Sequence, residues 1–238
     1  MIYKFFPVFS FFLISFLPTV SKAPETKLVA YSTETIVPNS TIKVESVYYS
    51  LNANHFALPQ MESFSKALTG FYQLKEKGLI DKDILTIVDF SLSSNVKRLW
   101  VIDLTTNTVL INSLVAHGRN TGEEFATAFS NQAESYKSSL GFYATGEVYN
   151  GKHGMSLKLD GLEKGINDKA RERAVVIHGA DYVSETFIKG NKRLGRSQGC
   201  PAIPVEMSQK IISVIKNKSC LFIYHPSRTY PSTSKLIS

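Results

Sequence analysis

At residues 175–180 the chain reads VVIHGA, and at residues 195–201 it reads GRSQGCP. The apolar run in the first segment predicts a buried strand that ends at His178. The second segment predicts a turn of small residues that leaves the thiol of Cys200 open to a substrate. A histidine base and an accessible cysteine are the two parts that thiol catalysis needs. These segments therefore predict a cysteine acyltransferase with Cys200 and His178 as its catalytic residues.

The residues next to Cys200 are predicted to serve the same chemistry. Because Gly199 has no side chain, an acyl carbon can approach the sulfur, and the backbone N–H groups of Gly199 and Cys200 are expected to form an oxyanion hole. One ring nitrogen of His178 is expected to be held by a backbone carbonyl or a polar side chain, which fixes the tautomer. Arg196 and Ser197 in the same turn are further candidates for contact with the substrate.

A third polar segment, HGRN at residues 117–120, ends another predicted strand. His117 and Arg119 in this segment are candidates for the wall of a substrate cleft, where the arginine would receive a carboxylate. The same residues are equally compatible with a plain turn at the end of a strand. The sequence leaves both interpretations open.

The N-terminal segment, residues 1–23, has the pattern of a secretory signal peptide. Lys4 precedes an almost wholly apolar stretch at residues 5–17, and Ser21 and Ala23 are small residues at the spacing that a signal peptidase cleaves. Cleavage after either residue fits the sequence, and so does retention of the segment as an anchor. We therefore expect export to the periplasm or cell envelope, with membrane contact limited to this segment.

The chain of 238 residues carries a formal net charge of +7 and has an isoelectric point near 9.3. Its basic residues are scattered among acidic ones, and a long-range field of this kind favours an anionic matrix such as a cell wall. Nucleic acid is not expected as a partner of an exported chain. The sequence has no CxxC pair, zinc-finger spacing, phosphate-binding glycine loop or internal repeat. A monomer is expected.

Hydrophobic periodicity divides the rest of the chain into an arm and one domain. Residues 24–50 are polar, show no helical period and are predicted to be a linker, whereas residues 51–238 are predicted to form the catalytic domain. Helices are expected over residues 61–74 and 205–216. Strands are predicted at residues 84–90, 98–104, 109–116, 141–149, 155–159, 174–178 and 220–224, with hairpin turns at residues 105–107 and 150–151. This pattern is typical of a mainly β (α+β) fold with a few helices, one of them N-terminal, built as a mixed sheet or a sandwich.

The two cysteines allow other interpretations. An exported chain with two cysteines most often forms a disulfide, here between Cys200 and Cys220. However, Cys220 begins the apolar run CLFIY and is expected to be a buried hydrophobic residue, while the polar surroundings of Cys200 suit a thiolate. A zinc site that adds His178 and His225 to these cysteines is a third possibility, but no local CxxC or HxxxH spacing supports it.

Together these segments resemble the L,D-transpeptidase (YkuD-like) catalytic domain of peptidoglycan enzymes. Its signature is a histidine-glycine pair on a strand and then a serine-x-glycine-cysteine turn, which stand here at residues 178–179 and 197–200. VAHG at residues 115–118 and SSLGFY at residues 138–143 resemble the substrate-strand elements of that domain. The run LGRSQGCPAIP at residues 194–204 is closest to the branch called the murein L,D-transpeptidase catalytic domain family.

The resemblance implies a ping-pong acyl transfer on peptidoglycan, with no metal and no organic cofactor. Cys200 would attack the third residue of a tetrapeptide stem while His178 moves the proton, and the side-chain amine of a neighbouring stem would then form a 3→3 cross-link. The commoner branch of the family has a histidine where Gln198 stands, and a branched residue and an arginine where Pro201 and Ala202 stand. These departures leave the thiol and the base in place.

Other functions are compatible with the same residues. Water in place of the amine would make the protein an L,D-carboxypeptidase. A cysteine peptidase of the amidase type usually has its nucleophile before its histidine in the chain, whereas here His178 precedes Cys200. A catalytically silent wall-binding module would keep the fold but would not need both residues.

Overall fold

The structure is a computed structural model that describes residues 1–2, 39–227 and 229–237. The predicted signal peptide at residues 1–23, apart from its first two residues, lies outside the described residues, and so does the first part of the predicted linker. None of the helices in the described ranges is long and apolar enough to cross a membrane.

Within these residues the chain forms five helices and eight strands. The helices are α1 Asn39–Tyr49, α2 Met61–Glu76, α3 Glu185–Asn191, α4 Val205–Ile215 and α5 Thr229–Thr233. The strands are β1 Ile84–Asp89, β2 Leu99–Asp103, β3 Thr108–Ser113, β4 Gly141–Gly151, β5 Gly154–Gly161, β6 Val176–Gly179, β7 Ala202–Ile203 and β8 Cys220–Tyr224.

The eight strands join one mixed sheet in the order β3-β2-β1-β8-β4-β5-β6-β7. β1 pairs with β8 and β6 pairs with β7 in parallel, and the other neighbours are antiparallel. The predicted mainly β fold with a few helices is confirmed, and of the two predicted forms it is the mixed sheet. Each predicted strand exists. The sequence missed β7, because its two residues are too few to show a period.

The first predicted helix of the domain corresponds to α2, which buries its apolar side on the sheet. Phe64, Leu68 and Phe71 are at most 2% exposed, and their spacing of three and four residues places them on one helical face. Gly70 lets the ring of Phe142 on β4 approach the helix, because a Cβ on Gly70 would lie only 2.1 Å from that ring. Burial of side chains of this size stabilises the fold by about 1.5–3 kcal/mol each.

The prediction that residues 24–50 contain no helix was wrong for residues 39–49, which form α1. Val44 of this helix is buried. The ring of Tyr48 lies edge-on to the ring of Phe64 in α2, with 5.3 Å between the centroids. Because short helices are marginal on their own, α1 depends on packing such as the contact of Tyr48 with Phe64.

The hairpin between β4 and β5 turns at Lys152 and His153, two residues later than predicted. Gly151 pairs with Gly154 at the end of the ladder, and Gly154 has the positive φ of 72° that favours glycine. The predicted turn at residues 150–151 was therefore wrong, because both residues belong to β4. The observed turn places the cationic Lys152 and the aromatic His153 at the tip of the hairpin.

Candidate active site

A cleft of about 690 Å³ contains both predicted catalytic residues. Cys200 and His178 line it, together with the tip of the β4–β5 hairpin and residues 172–176. The parallel register of β6 and β7 explains why the two residues meet, because it pairs His178 with Ala202, two residues after Cys200. The fold therefore brings together the thiol and the imidazole that the sequence singled out.

The side chain of His178 is buried, and the backbone fixes its tautomer. Its Nδ1 lies 2.9 Å from the carbonyl oxygen of Gly179, so Nδ1–H donates there and Nε2 carries the lone pair. The ring of His153 stacks on that of His178, with 4.4 Å between centroids and 23° between planes. Burial lowers the pKa of His178, and the nearby His153 and Lys152 lower it further. The imidazole is therefore neutral at pH 7 and can accept a proton.

The thiol of Cys200 lies in the cleft, with its Sγ 3.8 Å from the carbonyl oxygen of Ala174. Burial raises the pKa of this thiol, while the Val176 N–H and the Arg173 guanidinium act in the opposite direction. The balance favours the protonated thiol in the resting protein. A base must then remove the proton when the sulfur attacks, which is the role open to His178.

Ser197 and Gly199 shape the turn that carries Cys200. The Ser197 hydroxyl donates to the Cys200 carbonyl at 2.6 Å and accepts from the Gly199 N–H at 3.0 Å. Gly199 has a φ of 123°, and a Cβ there would lie 2.9 Å from the Lys137 carbonyl oxygen, so the turn needs glycine. The hydroxyl of Ser197, expected to contact substrate, is engaged within the turn. The Gly199 N–H, expected in the oxyanion hole, donates its hydrogen bond to this Ser197 hydroxyl.

The segment after β3 runs alongside this turn. The Arg119 N–H donates to the Ser197 carbonyl at 2.8 Å. Gly118 makes the approach possible, because a Cβ there would lie 2.5 Å from the Tyr136 carbonyl oxygen. The guanidinium of Arg119, expected to receive a substrate carboxylate, lies over the Tyr136 ring at 3.9 Å from its centroid. Tyr136 lines the cleft, whereas Arg119 does not.

His117, expected in the cleft wall, is instead buried in the core and is 1% exposed. Its Nδ1 accepts from the Arg98 guanidinium at 2.8 Å, and its Nε2–H donates to the Gly122 carbonyl at 3.2 Å. Arg98 is also fully buried and donates to the carbonyl oxygens of Val115 and Leu92 at 3.0 and 2.7 Å. Burial, with the Arg98 charge as second cause, lowers the pKa of His117 to about 4. The neutral imidazole is therefore part of the core and does not line the cleft.

Arg196 lines the cleft, as a substrate contact should, but its guanidinium is engaged. It forms an ion pair with Glu123 at 2.6 Å and donates to the carbonyl oxygens of Arg119 and Gly122 at 3.1 and 3.2 Å. These bonds tie the turn at residues 195–201 to the segment after β3. A substrate carboxylate would have to compete with Glu123 for this arginine.

Lys152, His153 and Arg173 also line the cleft, although the sequence did not single them out as site residues. Arg173 donates to the carbonyl oxygens of Ser130 and Lys137 at 2.9 and 2.7 Å and to two serine hydroxyls, so it holds that loop against the cleft. The position of Arg173 just before the buried strand β6 was the one signal in the sequence that could have identified it as a cleft residue. The two hairpin residues belong to no motif, because they reach the cleft only through the register of β5 against β6.

Both cysteines are free thiols. Cys220 is fully buried in β8, as predicted for a hydrophobic residue, and burial raises its pKa. The ring of His225 lies 5.0 Å from that of Phe129, measured between centroids. Among the residues that the structure describes, no group of histidine, cysteine and acidic side chains could hold a metal ion.

Comparison with known families finds one match. A sequence model described as the L,D-transpeptidase catalytic domain matches residues 58–224, a range that contains all eight strands. The predicted YkuD-like mixed-sheet catalytic domain is thereby confirmed. No curated protein matches the chain.

The chain is similar to several solved structures, two of which follow a common pattern of low identity. The first is an L,D-transpeptidase from Mycobacterium smegmatis, with 9% identity and a TM-score of 0.37; the match covers 60% of this chain and 59% of that one. The second is the helical cell shape determining protein Pgp2 from Campylobacter jejuni, with 14% identity and a TM-score of 0.40, covering 67% and 57% of the two chains. The chain thus matches less than two thirds of the length of each of these two solved proteins.

Proposed function

This chain belongs to the L,D-transpeptidase catalytic domain family, and we propose that it is an exported cysteine acyltransferase acting on peptidoglycan stem peptides. The observation that carries the proposal is the meeting of Cys200 and His178 in one cleft, with His178 held as a neutral base. The reaction forms a thioester on Cys200 and then a 3→3 cross-link between two stems.

In the first half-reaction, Nε2 of His178 takes the thiol proton of Cys200 while the sulfur attacks the carbonyl carbon of the third stem residue. The tetrahedral intermediate then breaks the amide bond to the fourth residue. His178 passes its proton to the nitrogen of the leaving D-alanine. A thioester remains on Cys200, and the imidazole is neutral again.

The negative oxygen of that intermediate needs backbone donors beside the sulfur. Of the two amides expected from the sequence, the Cys200 N–H lies against its own sulfur, where it favours the thiolate. The Gly199 N–H is bonded to the Ser197 hydroxyl at 3.0 Å and is released only if that bond opens. We therefore assign the Cys200 N–H as the first donor and the Gly199 N–H as the second.

In the second half-reaction, the side-chain amine of a neighbouring stem attacks the thioester. His178 takes a proton from this amine and returns it to the departing sulfur, so a new amide bond and a free thiol result. Water in place of the amine yields a tripeptide stem, which is L,D-carboxypeptidase activity. The acceptor therefore decides which of the two products appears.

Intact-mass measurement after incubation with a tetrapeptide-bearing muropeptide tests this function. An acyl-enzyme together with cross-linked dimer supports the transpeptidase, whereas an acyl-enzyme with tripeptide alone supports the carboxypeptidase. The Cys200→Ala protein is the control and should gain no mass. If folded wild-type protein gains no mass and leaves the muropeptide unchanged, the enzyme assignment fails, and binding to isolated cell walls then tests the silent module.

Export to the periplasm or cell envelope is part of the same proposal. The pattern of residues 1–23 and the net charge of +7 support it, because the charge suits an anionic wall. Cell fractionation and the mass of the mature protein test it. A mature N-terminus after Ser21 or Ala23 supports cleavage, and full-length protein in the membrane fraction supports an anchor. Full-length protein in the cytosol contradicts export.

A further inference from the structure

The tip of the β4–β5 hairpin lies over the catalytic residues, although the proposed reaction does not use it. The tip consists of Lys152 and His153, and both line the cleft with Cys200. The ring of His153 stacks on the ring of His178 at 4.4 Å between centroids. The neighbouring Lys152 is close enough for its charge to act on both His178 and Cys200.

The sheet fixes the position of this tip. Ser156 of β5 pairs with His178 of β6, so the hairpin is in register with the strand that carries the base. The ladder between β4 and β5 continues to the pair Gly151 and Gly154, which directly flanks the tip. The tip is therefore an extension of paired strands, and its register is set by the buried face of the sheet.

Lys152 differs from the arginines of the cleft, which already have partners. Arg173 donates four hydrogen bonds to the loop at residues 130–139. Arg196 is paired with Glu123 at 2.6 Å. Lys152, in contrast, forms no hydrogen bond or ion pair with any residue of the described ranges. Its ammonium group is thus available to a ligand.

Two carboxylates also line the cleft, those of Glu134 and Glu172. Both residues are exposed, and within the described structure neither forms an ion pair with Lys152. The cation beside the catalytic pair therefore has no counter-ion from this part of the protein. An anionic group of the substrate is what such a position suits.

We propose that Lys152 binds the carboxylate of the leaving D-alanine and so selects stem peptides that end one residue after the cleaved bond. This inference rests on the proposed function. Only one carbon atom separates that carboxylate from the nitrogen of the cleaved bond, so it lies close to the sulfur during attack. In a tetrapeptide the carboxylate is free. In a pentapeptide it is part of an amide, and the terminal charge lies one residue further away.

Alkylation of Cys200 tests this anion site without any peptidoglycan substrate. Iodoacetate carries a carboxylate next to its reactive carbon, whereas iodoacetamide carries a neutral amide there, and the ratio of their rates cancels any change in thiol ionisation. We expect Lys152→Gln to lower the iodoacetate-to-iodoacetamide ratio about fivefold or more. Lys164→Gln, at an exposed lysine that does not line the cleft, is the matched control and should leave the ratio unchanged. Equal ratios in wild type and Lys152→Gln overturn the proposal.

Two donor peptides then test the specificity. One is the tetrapeptide stem with its free C-terminal carboxylate, and the other is the same stem as a C-terminal amide. Wild-type protein is expected to have a KM about fivefold or more lower for the acid, and Lys152→Gln is expected to lose this preference. An unchanged preference in Lys152→Gln contradicts the role of Lys152. If wild type converts neither peptide, the proposed function fails, whereas the alkylation ratio still decides whether Lys152 binds a carboxylate.

Discussion

Ser197→Ala tests how the turn at residues 195–201, which carries Cys200, is held together. The Ser197 hydroxyl donates to the Cys200 carbonyl at 2.6 Å and accepts from the Gly199 N–H at 3.0 Å. Ser197 is only 6% exposed, so water has little access to replace these bonds. Alanine therefore removes two hydrogen bonds and leaves a backbone donor and a backbone acceptor without their partner.

The free energy that the turn loses in Ser197→Ala follows from these two hydrogen bonds. Each contributes about 0.5–1.5 kcal/mol, and a buried unpaired group costs about 1–3 kcal/mol. We expect the ordered turn to lose about 1–3 kcal/mol relative to conformations that misplace the sulfur, which lowers its population by a factor of about 5–150. Turnover should fall by the same factor. The urea midpoint should fall only slightly, because the change is local.

Turnover of the tetrapeptide stem, alkylation of Cys200 by iodoacetamide and urea unfolding are the three measurements. Ser197→Thr keeps the hydroxyl and is expected to retain most of the activity. Ser208→Ala is the matched control, because it removes one exposed bond of 2.7 Å to the Val205 carbonyl. Unchanged turnover in Ser197→Ala refutes this account of the turn. Increased turnover would mean that the Gly199 N–H, once released from Ser197, stabilises the oxyanion more than it stabilises the turn.

Three further predictions concern His178, Cys200 and the ring of His153 that stacks on the imidazole. His178→Gln should lower turnover by about two to four orders of magnitude with an unchanged circular dichroism spectrum; near-normal turnover would mean that another group activates the sulfur. Because burial raises the pKa of Cys200, its alkylation rate should keep rising above pH 8.5, close to the ordinary thiol pKa of about 8.5, and a plateau below pH 7 contradicts this. His153→Phe should keep the ring stack and most of the turnover, whereas His153→Ala should lose more; equal losses would exclude stacking as the cause.

The strands, and the meeting of His178 and Cys200 in one cleft, could be predicted because their signals are local. Short apolar runs located the longer strands to within a few residues, since burial on a pleated sheet selects the same side chains wherever the strand lies. A histidine at the end of such a run and a cysteine after glycine were enough to single out His178 and Cys200. Their chemistry is carried by the residue types themselves, and the register of β6 and β7 then brings them together.

The rest of the site depends on contacts between distant segments. His117 and His178 look alike in sequence, since each follows an apolar strand and precedes glycine. The buried guanidinium of Arg98 engages only the first of them, and a local pattern cannot show this. Lys152 and His153 likewise have no signature of their own, because the pairing of β5 with β6 brings them to the cleft. The helix α1 was missed for the same reason, as its stability comes from α2.

β8 is the last strand in the sequence, yet it lies in the middle of the sheet between β1 and β4. Its pairing of Cys220 with Leu85 joins residues 135 positions apart (220 − 85). Until β8 leaves the ribosome, β1 and β4 each have an unpaired edge, so the sheet cannot close before that point. For the proposed export this order is useful, because it delays closure of the sheet until β8 has been made. A truncated product that ends before residue 220 should aggregate or be degraded.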